Sequence, residues 1–409
     1  MLEITLEEFV TREYKLTSNQ LEALLQETST LSLAVESFKS ARDRYALRPG
    51  SKVGALEVDG LSVLIKPKIE IPQLLSLASY ATNKIDIRKE SFDFEEAKSL
   101  PDILALALYR AARKAFSRGL LHGYQIEEGA LHGVRGRIRF DEQIRRRFGI
   151  LLPVELRFDE FSEDILANRL VKAAVARLSR MTLHSANARR GLGWIAAMLG
   201  SVSLLEFRRA GGPEVRFDWL NEHYRMVVGL ARVILLHSEF ESKRGDVRSS
   251  GFLVDMSKLF QEFLARALRD KLRVSERILR ADKGLGKITL DEMGDVPLRP
   301  DLTWWEDSET CTFVGDAKYK DLSDKSVRND DLYQILAYTT ALNLPGGLLI
   351  YAQGGAETKS YTVRHAGKRL EVFALDLSCS LEDILARIET LACKIKSLRA
   401  EALDLKGSQ

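Results

Sequence analysis

The chain has 409 residues, 45% hydrophobic and 29% charged, with a formal net charge of +3. That length exceeds one ordinary core, so two or three domains are expected, and the composition is that of a globular chain rather than a disordered or fibrous one. No apolar run approaches the ~20 residues of a membrane span. The first residues carry Glu3, Glu7 and Glu8 instead of a basic-then-apolar leader, so the expected compartment is the cytoplasm, with no membrane partner.

In chain order, 16–33 reads as helix, with Leu21, Leu24 and Leu25 on one face. Alternation from Val53 to Ile71, interrupted by Asp59-Gly60, predicts a hairpin. A helix is expected over 102–116, then a glycine- and arginine-rich strand region over 129–140 followed by Arg145-Arg146-Arg147. Helical patterns return over 163–197 and 219–240. The polar segment Gly245–Gly251 lacks large apolar groups and is the expected domain boundary.

Beyond it the texture changes. A helix is expected over 255–272 with Leu259, Phe260, Phe263, Leu264 and Leu268 as its buried stripe. Strands over 287–290, 302–305 and 312–317, a helix over 330–342, strands over 347–352, 359–363 and 369–375, and a final helix over 380–402 follow. This order predicts an α/β C-terminal domain, a mixed sheet flanked by helices, over 251–409. An α+β N-terminal region (1–155) and a helical middle region (156–244) precede it. Cys311, Cys379 and Cys393 have no C-x-x-C spacing and read as buried reduced thiols. The six histidines (122, 132, 184, 223, 237 and 365) show no ligand spacing.

The chemistry concentrates in Pro300-Asp301 and Asp316-Ala317-Lys318. Asp316 and Lys318 lie two apart on one predicted strand and so share a face. A turn of Glu306, Asp307, Ser308 and Glu309 would fold Asp301 beside them. Two close carboxylates repel unless a cation lies between them. Oxygen donors select hard ions, so Asp301, Asp316 and the Ala317 carbonyl are candidate ligands for Mg²⁺, with Mn²⁺ as a substitute. Such an ion polarises a phosphate and activates water. Lys318 would orient the water or neutralise charge on the phosphate. The plainer reading is a surface ion pair of Asp316 with Lys318 or Lys320.

These residues, RPD and GDAKYK, resemble the PD-(D/E)xK nuclease motif, which implies a restriction-endonuclease-like fold. Gln334 and Tyr338, one turn apart on the next predicted helix, resemble the QxxxY element of RecB-like nucleases. That likeness implies that the pair flanks the metal and contacts the substrate backbone. A wider resemblance links the chain to the McrC family, nuclease subunits of McrBC-type modification-dependent restriction systems. It rests on 252–260 (FLVDMSKLF), 65–69 (IKPKI), Arg118-Gly119-Leu120 with Tyr124, 133–138 (GVRGRI), and 158–161 (FDEF) leading to Asp164 and Asn168. Where that family usually has Glu after Leu-Phe, this chain has Gln261, with Glu262 next. Glu262 reads as part of a solvated ladder with Lys258 and Arg266, and both stay outside the core assignment.

The resemblance implies a partner, a hexameric McrB-like AAA+ GTPase that reads modified cytosine in double-stranded DNA and is stimulated by the docked N-terminal half of the nuclease subunit. No nucleotide site is expected in this chain: Gly284–Ile288 lacks Ser or Thr after Lys287, and Ala281 stands where a P-loop glycine belongs. The arginines at 135, 137, 139, 145, 146 and 147 would touch DNA phosphate or, preferentially, the motor, unless they are a solvated hairpin and helix end. Three functions stay open: a motor-triggered endonuclease, a non-cleaving adaptor that stimulates the motor, and a stand-alone RecB-like repair nuclease.

Overall fold

The computed structural model describes residues 2–37, 43–58, 61–83, 99–205, 213, 215–244, 247–281, 288–319, 327–352 and 359–407. The Asp59-Gly60 turn, the Gly284–Lys287 string, Gly245 and Lys320 lie outside them. The chain forms two compact units, Met1–Asp93 with Glu239–Gln409, and Phe94–Ser238. This division differs from the three consecutive regions expected from the sequence. The N-terminal strands share a unit with the C-terminal third.

The reason lies in the segment taken as a linker. Residues 247–251 begin the strand Val247–Asp255, which pairs antiparallel with Lys52–Val58, from Ser249↔Val58 to Asp255↔Lys52. It adds to a five-stranded sheet with Leu2–Glu7, Leu61–Lys66 and Ser238–Arg244. Its contact is close: a Cβ on Gly54, whose φ is +134°, would meet the Phe252 carbonyl oxygen at 1.9 Å, so only glycine fits there. The polar composition of 245–251 was a misleading signal for a boundary, because a polar stretch can also pair as a strand, as 249–255 does with 52–58.

The strand then feeds the helix Met256–Leu272 directly. Asp255 ends the strand and caps the helix, its Oδ1 accepting from Ser257 N at 3.0 Å and Lys258 N at 3.2 Å. All five residues of the expected stripe are buried. The helix packs on Leu381–Gly407, and both reach the strand Cys311–Lys318.

That strand is central in a six-stranded mixed sheet, ordered Leu279–Arg280, Leu302–Trp305, Cys311–Lys318, Gly346–Tyr351, Arg369–Ala374, Lys359–Thr362. It runs antiparallel to Leu302–Trp305 and parallel to Gly346–Tyr351. The helix Asn329–Ala341 is the crossover between the two parallel strands. Its Ile335 and Tyr338 share a buried cluster with Val314, Leu349, Tyr351, Leu370 and Val372. The helix lies tight on the sheet at Gly347, where a Cβ would come within 2.7 Å of Thr339 Cγ2.

Among its described residues the second unit holds five α-helices, Leu100–Ala115, Phe140–Arg147, Leu166–Ser179, Ala186–Met198 and Arg225–His237, with a three-stranded sheet of Gly123–Leu131, Val154–Ser162 and Arg137–Ile138. The expected helical middle region is therefore part of a mixed unit. Phe140–Arg147, expected to follow a strand as an arginine run, is itself a helix with no buried residue. Of the cysteines, Cys311 is buried as expected, whereas Cys393 is exposed. Among the described residues, no helix is long and apolar enough to cross a membrane.

Candidate functional site

Antiparallel pairing sets Leu302 opposite Gly315. One step outward, Asp301 stands opposite Asp316, so their side chains emerge on one face with Lys318. The structure brings together the three groups that the spacing singled out. Asp301 and Asp316 are buried, and the Lys318 ammonium is ion-paired with Asp316 Oδ2. The bland alternative of a solvated surface pair fails on burial, since the Asp316 side chain is 2% exposed and that of Lys318 13%.

Among the described residues, a backbone and a side-chain donor meet on Asp301. The backbone N–H of Ala317 and the side-chain amide of Gln261 each reach its Oδ2 at 3.0 Å. Within a strand, a residue's N–H and C=O point toward the same neighbour. The Ala317 carbonyl therefore lies on the strand edge that faces Asp301. Asp316 feels the crowding. Burial, then the charge of Asp301, pushes its carboxyl up to about 6, against the pull of Lys318.

Gln334 and Tyr338 also converge here, as their i,i+4 spacing requires. Lys318 Nζ donates to Gln334 Oε1 at 2.7 Å, Gln334 Nε2 donates to the Tyr338 hydroxyl at 2.6 Å, and that hydroxyl donates to the Arg299 carbonyl at 3.1 Å. The pair is thus a brace between the lysine and the segment that carries Asp301. Burial and then the Asp316 charge push the Tyr338 phenol up to about 12, so it stays a donor.

Two residues at this site were not in the sequence-based assignment. Gln261, set aside there, is a direct partner of Asp301. Asp331 is buried in the first turn of the Gln334 helix, with its Oδ1 3.8 Å from Lys318 Nζ, and accepts from the Tyr351 hydroxyl at 2.7 Å. Its signal was its place three residues before Gln334, which puts both on one helical face. Glu262 behaves as expected toward Lys258, at 3.8 Å, but Arg266 Nη1 instead donates to the Ala81 carbonyl at 3.2 Å.

Among the described residues, no group of three or more His, Cys, Asp or Glu side chains could hold a metal ion. The donor set here is two carboxylates and a backbone carbonyl. That set suits a hard cation such as Mg²⁺, which keeps several waters and uses one or two carboxylates plus substrate phosphate.

The arginine cluster is less basic than its sequence. Arg135 pairs with Glu160 at 2.7 Å, Arg139 with Glu128 at 2.9 Å, Arg145 and Arg146 both with Glu142 at 2.8 Å, and Arg147 with Glu155 at 3.0 Å. Beside these pairs lies uncovered apolar surface. Phe148 and Leu151 are 86% and 88% exposed, and Phe140, Ile144, Ile150 and Leu152 are exposed as well.

Comparison with known proteins bears on this arrangement. The family described as McrBC 5-methylcytosine restriction system component matches residues 47–352. The type IV methyl-directed restriction enzyme EcoKMcrBC of Escherichia coli (strain K12) is 26% identical over 310 residues, 70% of this chain and 86% of that protein. A chain in the half-complex from the tetradecameric assembly of Thermococcus gammatolerans McrB AAA+ hexamers with bound McrC is similar in fold. It superposes with a TM-score of 0.57 at 18% identity, over 95% of this chain and 98% of that one.

Proposed function

This chain belongs to the family of McrBC 5-methylcytosine restriction system components, and from that premise we propose that it is the DNA-cleaving subunit, a PD-(D/E)xK-type endonuclease driven by an AAA+ partner. The observation that supports this most is the convergence of Asp301, Asp316 and Lys318 on one buried face, with Gln334 bracing the lysine.

Asp301, Asp316 and the Ala317 carbonyl would hold one divalent cation, Mg²⁺ or Mn²⁺. Bound there, the cation supplies Lewis-acid activation of the phosphate and of a water. Asp301 is held in place for this by the Ala317 N–H and Gln261. Asp316 relieves its own repulsion with Asp301 by facing positive charge. Lys318 donates to a non-bridging phosphate oxygen as negative charge builds in the transition state. Gln334 and Tyr338 keep the lysine from swinging away and tie its position to the backbone at Arg299. Charge at the phosphate is thereby met by preset groups.

The partner follows from family membership and from the fold shared with a chain of an assembly of McrB AAA+ hexamers with bound McrC. The exposed apolar surface around Phe140–Leu152, flanked by paired arginines, is the docking face this reading requires. A contiguous apolar patch with a charged rim is the usual anatomy of a protein interface. The substrate is double-stranded DNA with modified cytosine.

Plasmid cleavage with Mg²⁺, GTP and the AAA+ partner tests this. Asp316→Ala and Lys318→Ala should each lose cleavage by on the order of 100-fold or more, while stimulation of GTP hydrolysis survives. Stimulation without cleavage by the unaltered chain would favour an adaptor. Cleavage without the partner would favour a stand-alone nuclease.

A further inference from the structure

We propose that Asp331, held by Tyr351, is a positioning residue that keeps Lys318 aimed at the scissile phosphate when Asp316 is engaged with a divalent cation. This rests on the nuclease reading above.

Lys318 has three oxygen partners among the described residues: Asp316 by ion pair, Gln334 Oε1 at 2.7 Å, and Asp331 Oδ1 at 3.8 Å. An Asp316 carboxylate that ligates a cation gives up much of its hold on the lysine, because both positive charges compete for the same oxygens. Gln334 is neutral and gives direction without charge. Asp331 is the anion left to counter the lysine.

Its own placement fits that task. Tyr351 stands in register with Lys318 on the neighbouring parallel strand. Its hydroxyl donates to Asp331 Oδ2 at 2.7 Å, which leaves Oδ1 on the lysine side. Asp331 is 2% exposed and Tyr351 1%. A buried carboxylate is costly unless charge and hydrogen bonds meet it. Asp331 lies inside the first turn of its helix and not at the N-cap, which is Arg328, so capping does not account for the charge.

The test uses the full chain with Asp331→Asn, which keeps the shape, and Tyr351→Phe, which removes only the hydroxyl. Thermal unfolding first checks that both fold. Partner-activated cleavage is then split into kcat and KM, and Mn²⁺ binding is followed by electron paramagnetic resonance. Asp331→Asn should lower kcat at least tenfold with KM for DNA and Mn²⁺ affinity unchanged, and Tyr351→Phe should lower kcat less. Wild-type kcat in Asp331→Asn overturns the proposal. So does loss of Mn²⁺ binding in that variant, since Asp331 would then be a ligand. Failure of the unaltered chain to bind Mn²⁺ and to cleave would instead remove the nuclease reading, and this proposal with it.

Discussion

The side-chain amide of Gln261 and the backbone N–H of Ala317 meet on the same oxygen of Asp301, each at 3.0 Å. The family resemblance read from the sequence puts glutamate where this chain has Gln261, and the contact with Asp301 gives that difference a consequence. An amide donor relieves Asp301 in the absence of a cation, whereas a carboxylate would add a third negative charge. Gln261→Glu should therefore lower the stability in chelator by the ~1.5–3 kcal/mol of a hydrogen bond to a charged group, seen as a lower unfolding temperature. The same variant should gain more than the wild type on adding Mn²⁺. Differential scanning calorimetry with and without the ion reads both effects. An unchanged response to the ion would place residue 261 outside the ligand sphere.

Glu8 gives a pH prediction far from that site in sequence. It is fully buried, and its Oε2 accepts from Lys68 N at 2.9 Å and the Tyr319 hydroxyl at 3.0 Å. Burial pushes its carboxyl up to about 7, against the Lys68 and Tyr319 contacts. With the folded value above the unfolded 4.5, the folded chain binds the extra proton between them. Its contribution is then fully present below the unfolded value and lost as pH rises through the folded one. Burial raises the Tyr319 phenol further from that window. Melting temperatures from pH 5 to pH 8 should fall for the wild type relative to Glu8→Gln. Parallel profiles would refute the assignment.

The second unit has its own electrostatic hub. Asp164 accepts from Arg169 at 2.8 and 2.9 Å and from Ser203 through its N–H at 2.8 Å and hydroxyl at 2.6 Å. Arg169 and then Ser203 hold its carboxyl far below the usual range. This contribution is present above the ordinary carboxylate pKa and is lost as pH falls toward the folded value. Asp164→Asn should destabilise by about 2 kcal/mol at neutral pH, with the gap to wild type narrowing below pH 4. Urea unfolding at pH 7 and pH 3.5 checks this.

For the docking face, Phe148→Asp with Leu151→Asp should weaken association with the AAA+ partner by at least tenfold. Both side chains are almost fully exposed, so the fold should not suffer. Analytical ultracentrifugation measures the association, and circular dichroism checks the fold. Wild-type affinity in the double variant would move the interface elsewhere.

Much of the C-terminal sheet was legible because its signals are local. Alternation, caps and the Asp301–Asp316–Lys318 spacing fix strand, register and face with little help from the rest of the chain. Gln334 and Tyr338 were legible through their resemblance to a QxxxY element, with helical period placing both on one face. The join between 247–255 and 52–58 was not, because it spans some two hundred residues and turns on a glycine whose role needs the partner strand present. The arginine cluster misled for a similar reason. Its carboxylate partners, such as Glu155 and Glu160, lie on another strand, and sequence order hides that neutralisation. Asp331 was missed because an acidic residue in a helix's first turn is ordinary, and only Lys318 and Tyr351 beside it give it meaning.

If Asp301 and Asp316 together hold one divalent cation, Mn²⁺ titration by isothermal calorimetry should find one site per chain in the wild type. That site should be lost in both Asp301→Asn and Asp316→Asn and retained in Lys318→Ala. Unchanged Mn²⁺ binding in either asparagine variant would contradict it.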